Sequence, residues 1–369
     1  MNFHKRTKRV WYGGNLPDEQ TDFEKAVAEN DHGAGDFIYI NANIINNTNK
    51  PIRATTNTNY AATILADGKS RNACVVRMVL DGSTIPIGFL PKTDSGLWIV
   101  LSYAGNDWPV EVVFESDPGD TLYSPRQPFY NIQQFLNAVN FAFQTAAEEF
   151  NANYAPFLVY NPQTSLISIM ALEEAIDNNM FIYMNNTLYN YFGNFLSIHE
   201  ATDSADHKDY RIDLKNFRDT NTHDTFPIIP PNHIGLVQEY CSVFRFFDVT
   251  TIQLESVGLG VKGEVVPEVN NTENLTTNSN GGGGVATTNI LTDLQPYYSS
   301  GDPAGVRGQV YYAPQDYRFM TLEKNNIQTI DITVTLKLRD GSTVPYYVPA
   351  RGSMQIKLGF FNKQYNNLV

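Results

Sequence analysis

The sequence predicts a mainly β fold, an antiparallel β-sandwich with an inserted region that contains one long amphipathic helix. The composition supports this, because Asn makes up about a tenth of the 369 residues and aromatic residues make up 12%. Asn favours turns, whereas Tyr and Phe favour strands. Many short apolar runs also alternate with turn residues along the chain, while a single segment follows the helical period.

The charge balance argues against several classes of protein. The chain has 39 acidic and 26 basic side chains, a net charge of −13. A protein that coats nucleic acid needs a surplus of Lys and Arg to neutralise phosphates, so that class is disfavoured. No run of about 18 apolar residues occurs, so we expect no membrane-spanning helix.

The two cysteines, Cys74 and Cys241, are too few to form a disulfide framework in a chain of this length. Each lies in an apolar, strand-like run, so we predict that both are buried free thiols. The first residues lack the apolar core of a secretory signal, and with only two cysteines we expect the protein to fold in a reducing cytosol.

The N-terminal part of the chain begins with a basic arm and continues with strand-like runs. Residues 1–12 form the arm, which contains the four cations Lys5, Arg6, Lys8 and Arg9. We predict either a frayed terminus or a segment that touches a neighbouring subunit or nucleic acid. Strands are predicted at 37–45, 73–80 and 85–90, and a hairpin joins 97–103 to 110–114 around Gly105-Asn106-Asp107.

The helix is predicted over residues 131–150. Its apolar residues recur at three- and four-residue steps and therefore share one face; they are Ile132, Phe135, Leu136, Val139, Phe143, Ala146 and Phe150. Asn131 and Gln134 have the spacing of a capping box. The helix is expected to face the core.

Strand-like runs resume after the helix. They lie at 157–160, 166–170, 181–184, 209–214 and 236–247, and a weaker run includes Ile252, Leu254 and Val257. Residues 267–289 interrupt the series with many Asn and Thr residues and four consecutive glycines. We predict an exposed, flexible loop there, because too little apolar surface is present to offset the entropy of ordering.

The last fifty residues have the clearest pattern. Ile330, Ile332, Val334, Leu336 and Leu338 alternate with polar residues, which predicts a half-buried strand of about ten residues. Asp340-Gly341 predicts a tight turn, and alternation returns from Met354 to Phe360. We expect a long antiparallel meander. The strand candidates exceed the eight of one jelly roll, so the surplus is either an insertion or a second roll.

The polar residues offer two weak candidates for chemistry. A His and carboxylate group contains metal-ligand types at loose spacing, and a solvated loop is the favoured interpretation; its members are His199, Glu200, Asp203, Asp206, His207, Asp209, His223 and Asp224. Glu111, Glu239 and Asp248 are candidates for a glycosidase pair, although the sequence does not give their separation. We predict no enzymatic activity, no metal and no cofactor.

A carbohydrate-binding or receptor-binding β-sandwich is one possible non-enzymatic function of the chain. Exposed aromatic rings at a loop end stack on sugars, and Trp98 and Trp108 are the residues to test. The aromatic excess otherwise indicates a packed core or a subunit interface.

The C-terminal segments resemble the closing strands of jelly-roll capsid proteins. They are Tyr317-Arg318-Phe319, the run 330–334, the run 339–346 and the run 352–361; Asn41 to Asn46, 75–78 with 85–87, and Gln238-Glu239-Tyr240 fit the same pattern. The sequence is similar to minor capsid or penton-type proteins of virophages, polinton-like viruses and their adenovirus-like relatives.

This resemblance implies a structural subunit of an icosahedral virion, made in the cytoplasm or nucleus of a host cell. It implies a homopentamer at the vertices, in contact with neighbouring major capsid proteins, and packaged nucleic acid is a further partner for the basic arm. A trimeric, double-jelly-roll major capsid protein is the alternative. The expected division is an arm at 1–12, first roll strands at 13–114, an insertion at 115–230 and the remaining roll strands at 231–369.

Overall fold

A computed structural model gives the fold of the chain. It describes residues 37–59, 71–91, 94–114, 122–123, 126–200, 206–217, 229–259, 264–266, 286–296, 298–299, 305–306, 309–312, 320–322 and 327–362.

Strands before residue 250 are numbered in chain order. They are β1 (Phe37–Asn41), β2 (Ile44–Ile45), β3 (Ile52–Arg53), β4 (Thr55–Asn59), β5 (Arg71–Asp81), β6 (Gly88–Pro91), β7 (Trp98–Tyr103), β8 (Asn106–Glu111), β9 (Arg126–Phe129), β10 (Phe157–Asn161), β11 (Leu166–Leu172), β12 (Phe181–Met184), β13 (Ile198–His199), β14 (Tyr210–Ile212), β15 (His233–Val237) and β16 (Val249–Glu255).

The remaining strands and the helices complete the description. The strands are β17 (Glu264–Val266), β18 (Ala286–Thr288), β19 (Ile290–Leu294), β20 (Tyr298–Ser299), β21 (Gly305–Val306), β22 (Gln309–Tyr312), β23 (Met320–Thr321), β24 (Thr329–Leu338), β25 (Thr343–Pro345), β26 (Tyr347–Val348) and β27 (Ser353–Asn362). The helices are α1 (Ile132–Glu148), α2 (Glu173–Asp177), α3 (Asn186–Phe192) and α4 (Leu214–Phe217), with 3₁₀ turns at Gly82–Thr84, Ala152–Tyr154 and Val243–Phe246.

Two antiparallel sheets form a jelly roll. The first sheet has the order β1-β27-β5-β22, and the second has β4-β24-β16-β19, with β25 also paired to β24. Counted along the chain among these eight strands, the first sheet contains strands 1, 8, 3 and 6, and the second contains strands 2, 7, 4 and 5. This alternation between two sheets is the winding of a jelly roll.

The strands between β5 and β16 pair in sheets of their own. The described strands there pair as β10-β11-β15, as β13-β14-β12-β7-β8 and as β6-β9. They therefore build small sheets around α1 rather than a second eight-stranded roll. The strands β7 and β8, which the sequence places among the first roll strands, pair with β12 and with each other.

The structure confirms the predicted helix and its capping box in α1. Asn131 Oδ1 accepts a hydrogen bond from the Gln134 N–H at 3.0 Å, and Gln134 Oε1 accepts one from the Tyr130 N–H at 2.6 Å. Phe135, Leu136, Val139 and Phe143 are fully buried, so one face of α1 enters the core. Burial of that face, rather than intrinsic propensity, supplies most of the stability of such a helix.

The strand β24 also confirms the prediction. Ile330, Ile332, Val334 and Leu336 are fully buried, and the turn after the strand contains Gly341 at φ 84°. One outward residue departs from the pattern: Thr335 is buried because its Oγ1 donates to Glu255 Oε1 at 2.8 Å and Pro345 lies opposite it on β25.

The predicted C-terminal meander is wrong beyond its first hairpin. β24 and β25 pair directly, but β26 pairs with β3, and β27 enters the first sheet between β1 and β5. Alternation identifies a strand with one buried face, but it does not identify the partner strand.

Three other local predictions are corrected. The run 236–247 is a strand only at its start, because β15 ends at Val237 and a 3₁₀ turn follows at 243–246. The hairpin turn between β7 and β8 is Ala104-Gly105, both at positive φ, so Asn106 and Asp107 already belong to β8. Val257 lies outside β16 and is exposed.

The predicted loop at 267–289 lies mostly outside the described residues. Its last part differs from the prediction, since Ala286–Thr288 forms β18 and pairs with β17. Among the helices that the structure describes, none is both long and apolar enough to cross a bilayer.

Two side chains hold the ends of roll strands in place. Asp331 accepts three hydrogen bonds, from Ser256 Oγ at 2.8 Å and from the N–H groups of Val257 and Gly258 at 3.0 and 2.6 Å. Asn46 is buried and donates from Nδ2 to the carbonyls of Lys50, Val348 and Pro349. The turn after β16 and the turn after β2 are therefore fixed by groups from distant strands.

Candidate functional site

The predicted His and carboxylate cluster is used for packing. The His207 ring stacks on Trp98 with centroids 4.1 Å apart, and the His199 ring contacts Tyr210 edge-on at 5.0 Å. Glu200 pairs with Arg211 at 2.8 Å. Asp209 accepts from the Asn186 N–H at 2.7 Å.

These contacts leave the cluster without a metal-like arrangement in the described part of the chain. There, no three His, Cys, Asp or Glu side chains converge as metal ligands. Asp203, His223 and Asp224 lie outside the described residues.

The three carboxylates proposed for a glycosidase pair have separate surroundings. Glu111 Oε1 accepts from Ser95 Oγ at 3.0 Å and from the Gly96 N–H at 3.3 Å, which fixes the start of β7 against the end of β8. Glu239 is exposed. Burial raises the pKa of Asp248 to about 6, although the nearby Arg339 guanidinium opposes this shift.

Trp98 and Trp108 do not form open platforms for a sugar. Trp98 is covered by His207, and Trp108 packs against Phe150 with ring centroids 4.6 Å apart. Both rings are partly buried. The carbohydrate-binding alternative therefore loses the two residues on which it was based.

The cysteines differ from each other. Cys74 is buried in β5, and burial raises the pKa of its thiol to about 12. Cys241 is exposed, so the prediction of a buried thiol is wrong there. The reason is the early end of β15, which leaves Cys241 in the turn before the 3₁₀ segment.

The basic arm with Lys5, Arg6, Lys8 and Arg9 lies outside the described residues. Its role as a contact arm stays a prediction.

The junction between the roll and the inserted chain is a set of specific polar contacts. Arg339, at the end of β24, donates from Nη2 to the carbonyls of Phe244 and Phe247 at 2.7 Å each. Arg126 Nη2 lies 3.7 Å from Asp340 Oδ2, and Tyr347 Oη donates to the Leu122 carbonyl at 3.0 Å. Hydrogen bonds and an ion pair from the turn after β24 and from β26 therefore hold the inserted chain against the roll.

An aromatic cluster fills the space beneath this junction. Phe135 of α1 contacts Phe246 at a centroid distance of 5.0 Å and Phe129 at 5.6 Å. Phe246 lies just before β16, the strand through which the chain returns to the roll. The roll and the inserted chain consequently share one hydrophobic core.

The outward face of the first sheet carries exposed apolar residues that sequence analysis missed. We call it the first outer face, and it consists of Tyr39, Asn41, Asn43, Ile45, Arg77, Val79, Tyr311, Ser353, Gln355 and Lys357. Tyr39, Ile45 and Tyr311 are 52%, 59% and 63% exposed. The sequence signal that could have identified these residues is their position on the outward side of strands with alternating burial.

The outward face of the second sheet is different. We call it the second outer face, and its central residues are Thr251, Gln253, Glu255, Asp331, Thr333, Thr335 and Lys337. Thr335 bonds Glu255, and Thr333 Oγ1 lies 3.3 Å from Thr55 Oγ1 on β4. Hydrogen bonds between neighbouring strands thus satisfy much of this polar surface.

Comparison with known proteins adds a family to this fold. The family described as Sputnik minor capsid protein V18/19 matches residues 119–363, which is well over half of the chain. The chain belongs to this family. Membership makes it a structural capsid protein, and it confirms the predicted resemblance.

Individual relatives agree with the family. Structural protein V19 of Sputnik virophage is 27% identical over 153 residues, which are 40% of this chain and 66% of the relative. A chain of the 3.5 Å cryo-EM structure of the Sputnik virophage aligns with a TM-score of 0.64 and 22% identity, covering 89% of this chain and 98% of that one. The mavirus penton protein aligns with a TM-score of 0.58 and 15% identity, covering 88% and 99%. The two structural likenesses show the shared fold.

Proposed function

We propose that this chain is the penton subunit of an icosahedral capsid, a single jelly roll that assembles into a ring of five at the vertex. The observation that carries the proposal is the strand order of one complete roll with a long insertion between its third and fourth strands. A double roll, the alternative architecture, would need a second eight-stranded set, which the described strands between β5 and β16 do not form. The likeness to the mavirus penton protein across 99% of that chain supports the same choice.

The pairing of the strands supports a revised domain division. The inserted region begins at Gly82, directly after β5, and ends at Asp248, directly before β16. We refer to residues 82–248 as the insertion. The roll then consists of β1 to β5 and β16 to β27, and the arm at 1–12 precedes it.

This function is structural, and it rests on surfaces rather than on a reactive group. A closed ring of identical subunits requires two different, complementary surfaces on each copy. Neighbouring major capsid proteins are the further partners, and the basic arm would contact a neighbour or packaged nucleic acid.

Native mass spectrometry of the purified full chain tests the ring. We expect a species with five times the 41.5 kDa mass of one chain. A species of three times that mass would replace the vertex ring with a trimer, and a strict monomer at high concentration that is also absent from particles would reject the capsid assembly.

A further inference from the structure

The first outer face is built from rows of side chains on hydrogen-bonded strands. Strand pairing aligns Asn41 with Lys357 and Arg77 in one row, and Gln355 with Val79 and Tyr311 in the next. Tyr and Arg are enriched in the buried cores of protein–protein interfaces. Tyr39, Ile45 and Tyr311 lie at three corners of this face.

The charge on this face is positive, against a net charge of −13 for the whole chain. Lys357 Nζ lies 4.7 Å above the Tyr39 ring, and Arg77 lies beside Lys357 in the same row. Asp81, at the edge, already accepts from the N–H and the hydroxyl of Ser83. The face therefore combines cations on its two inner strands with aromatic rings on its two outer strands.

The insertion has the opposite character. Residues 127–207 contain no Lys or Arg and eight carboxylates. We group five of these as the acidic end, because they lie at the C-terminal end of α1 and on α2: Glu148, Glu149, Glu173, Glu174 and Asp177. Tyr154 connects its two parts, because it follows the end of α1 closely and its hydroxyl donates to Glu174 Oε1 at 3.2 Å.

We propose that the first outer face of one copy binds the acidic end of a second copy, head to tail. The proposal rests on the proposed capsid function and names the two surfaces of the ring contact. Pairing of two first outer faces would place Arg77 and Lys357 of both copies against each other, which costs energy. Contact between two different surfaces avoids this repulsion, and a repeated contact of that kind closes a ring.

Charge reversal on the face tests the proposal in the full chain. We expect Lys357→Glu to weaken self-association, measured by sedimentation velocity, by about tenfold or more. Lys337→Glu is the matched control, because Lys337 is also a partly buried lysine on a roll strand but lies on the second outer face. It should change self-association by about twofold or less. Circular dichroism melting verifies that both variants fold.

A compensating change makes the test specific. Glu149→Lys with Glu174→Lys should weaken association alone and should restore it when combined with Lys357→Glu in the same chain. If Lys357→Glu fails to fold, Tyr311→Ala provides the loss-of-contact variant, because Tyr311 is exposed at the edge of the sheet. Carbodiimide treatment of the wild-type oligomer should also link Lys357 to a carboxylate of the acidic end between copies.

The outcomes separate the two proposals. If the wild type forms its oligomer and the face variants associate as well as Lys337→Glu does, the proposed contact is wrong and the capsid function stands. The same conclusion follows if Lys357 becomes linked only to another capsid protein or to the N-terminal segment. If the wild type never associates, the capsid assembly itself fails.

Discussion

The jelly roll and the insertion use the same antiparallel pairing but acquire their order differently. The roll contains strands of ten residues, such as β24 and β27, whose inward positions are apolar: aliphatic in β24, and Met354, Ile356, Leu358 and Phe360 in β27. The insertion contains shorter strands and four helices among the described residues, and its helices α1 and α3 contribute Phe135 and Phe192 to a ring cluster with Phe129 and Phe246. In the roll, the sequence of each strand therefore indicates which side chains are buried. In the insertion, burial depends on side-chain contacts between different elements.

The largest loss of stability in the comparison of roll and insertion is expected from a substitution of Phe135. Phe135→Ala removes the ring that joins α1 to Phe246 and should lower the free energy of unfolding by about 3–5 kcal/mol, because it leaves a large cavity. Since the core is shared, we expect a single unfolding transition shifted to lower temperature in differential scanning calorimetry. Gln133→Ala, on the exposed side of the same helix, should change stability little. Two separate transitions would show instead that the insertion unfolds on its own.

The corresponding change in the roll is Leu336→Ala. Leu336 is fully buried at the centre of β24, and its truncation should cost about 2–5 kcal/mol in urea unfolding. Thr333→Ala, on the outward side of the same strand, should cost about 0.5 kcal/mol or less. Equal effects of the two changes would mean that the inward face of β24 has been assigned wrongly.

The junction between the two regions should depend on pH through Asp248. Its pKa is about 6 in the folded protein against an ordinary value of 3.8, so the folded state binds more protons between these values. The free energy of unfolding should therefore fall as the pH rises from about 4 to about 6, by up to about 3 kcal/mol. Arg339, Arg126, Asp340 and Tyr191 are the charged or titratable groups that face this carboxyl.

Asp248→Asn should remove that component. Urea unfolding of both proteins at pH 4, 5, 6 and 7 should show the variant gaining stability relative to the wild type as the pH rises. A constant difference across the series would assign the pH dependence to other carboxylates.

The smallest effect on stability is expected for the basic arm. Deletion of residues 1–9 should leave the melting temperature unchanged, because we predict that the arm lies outside both the roll and the insertion. Incorporation into particles should decrease and should also become less sensitive to salt, since Lys5, Arg6, Lys8 and Arg9 would no longer contribute screened contacts. Unchanged incorporation would make the arm a frayed terminus, and a collapse in melting temperature would place a core element there.

Much of the fold could be predicted where one residue's surroundings follow from its neighbours in the chain. The faces of α1 and β24, the cap at Asn131 and the turn at Gly341 are local features of this kind. The exposed Cys241 and the covered Trp98 could not be predicted, because their surroundings come from segments elsewhere in the chain. The first outer face was missed for the same reason, since five strands separated in sequence create it.

The sequence by itself determined the class of the protein, the long helix, the inward residues of β24 and β27, and the resemblance to virophage capsid proteins. Only the tertiary structure decided that β27 pairs with β1 and β5, that the described strands form one roll rather than two, and that β7 and β8 pair outside the roll. Periodicity reports which side of a strand is buried, because that depends on adjacent residues. The pairing of strands separated by hundreds of residues is determined only in the closed sandwich, where each strand has to bury its apolar face.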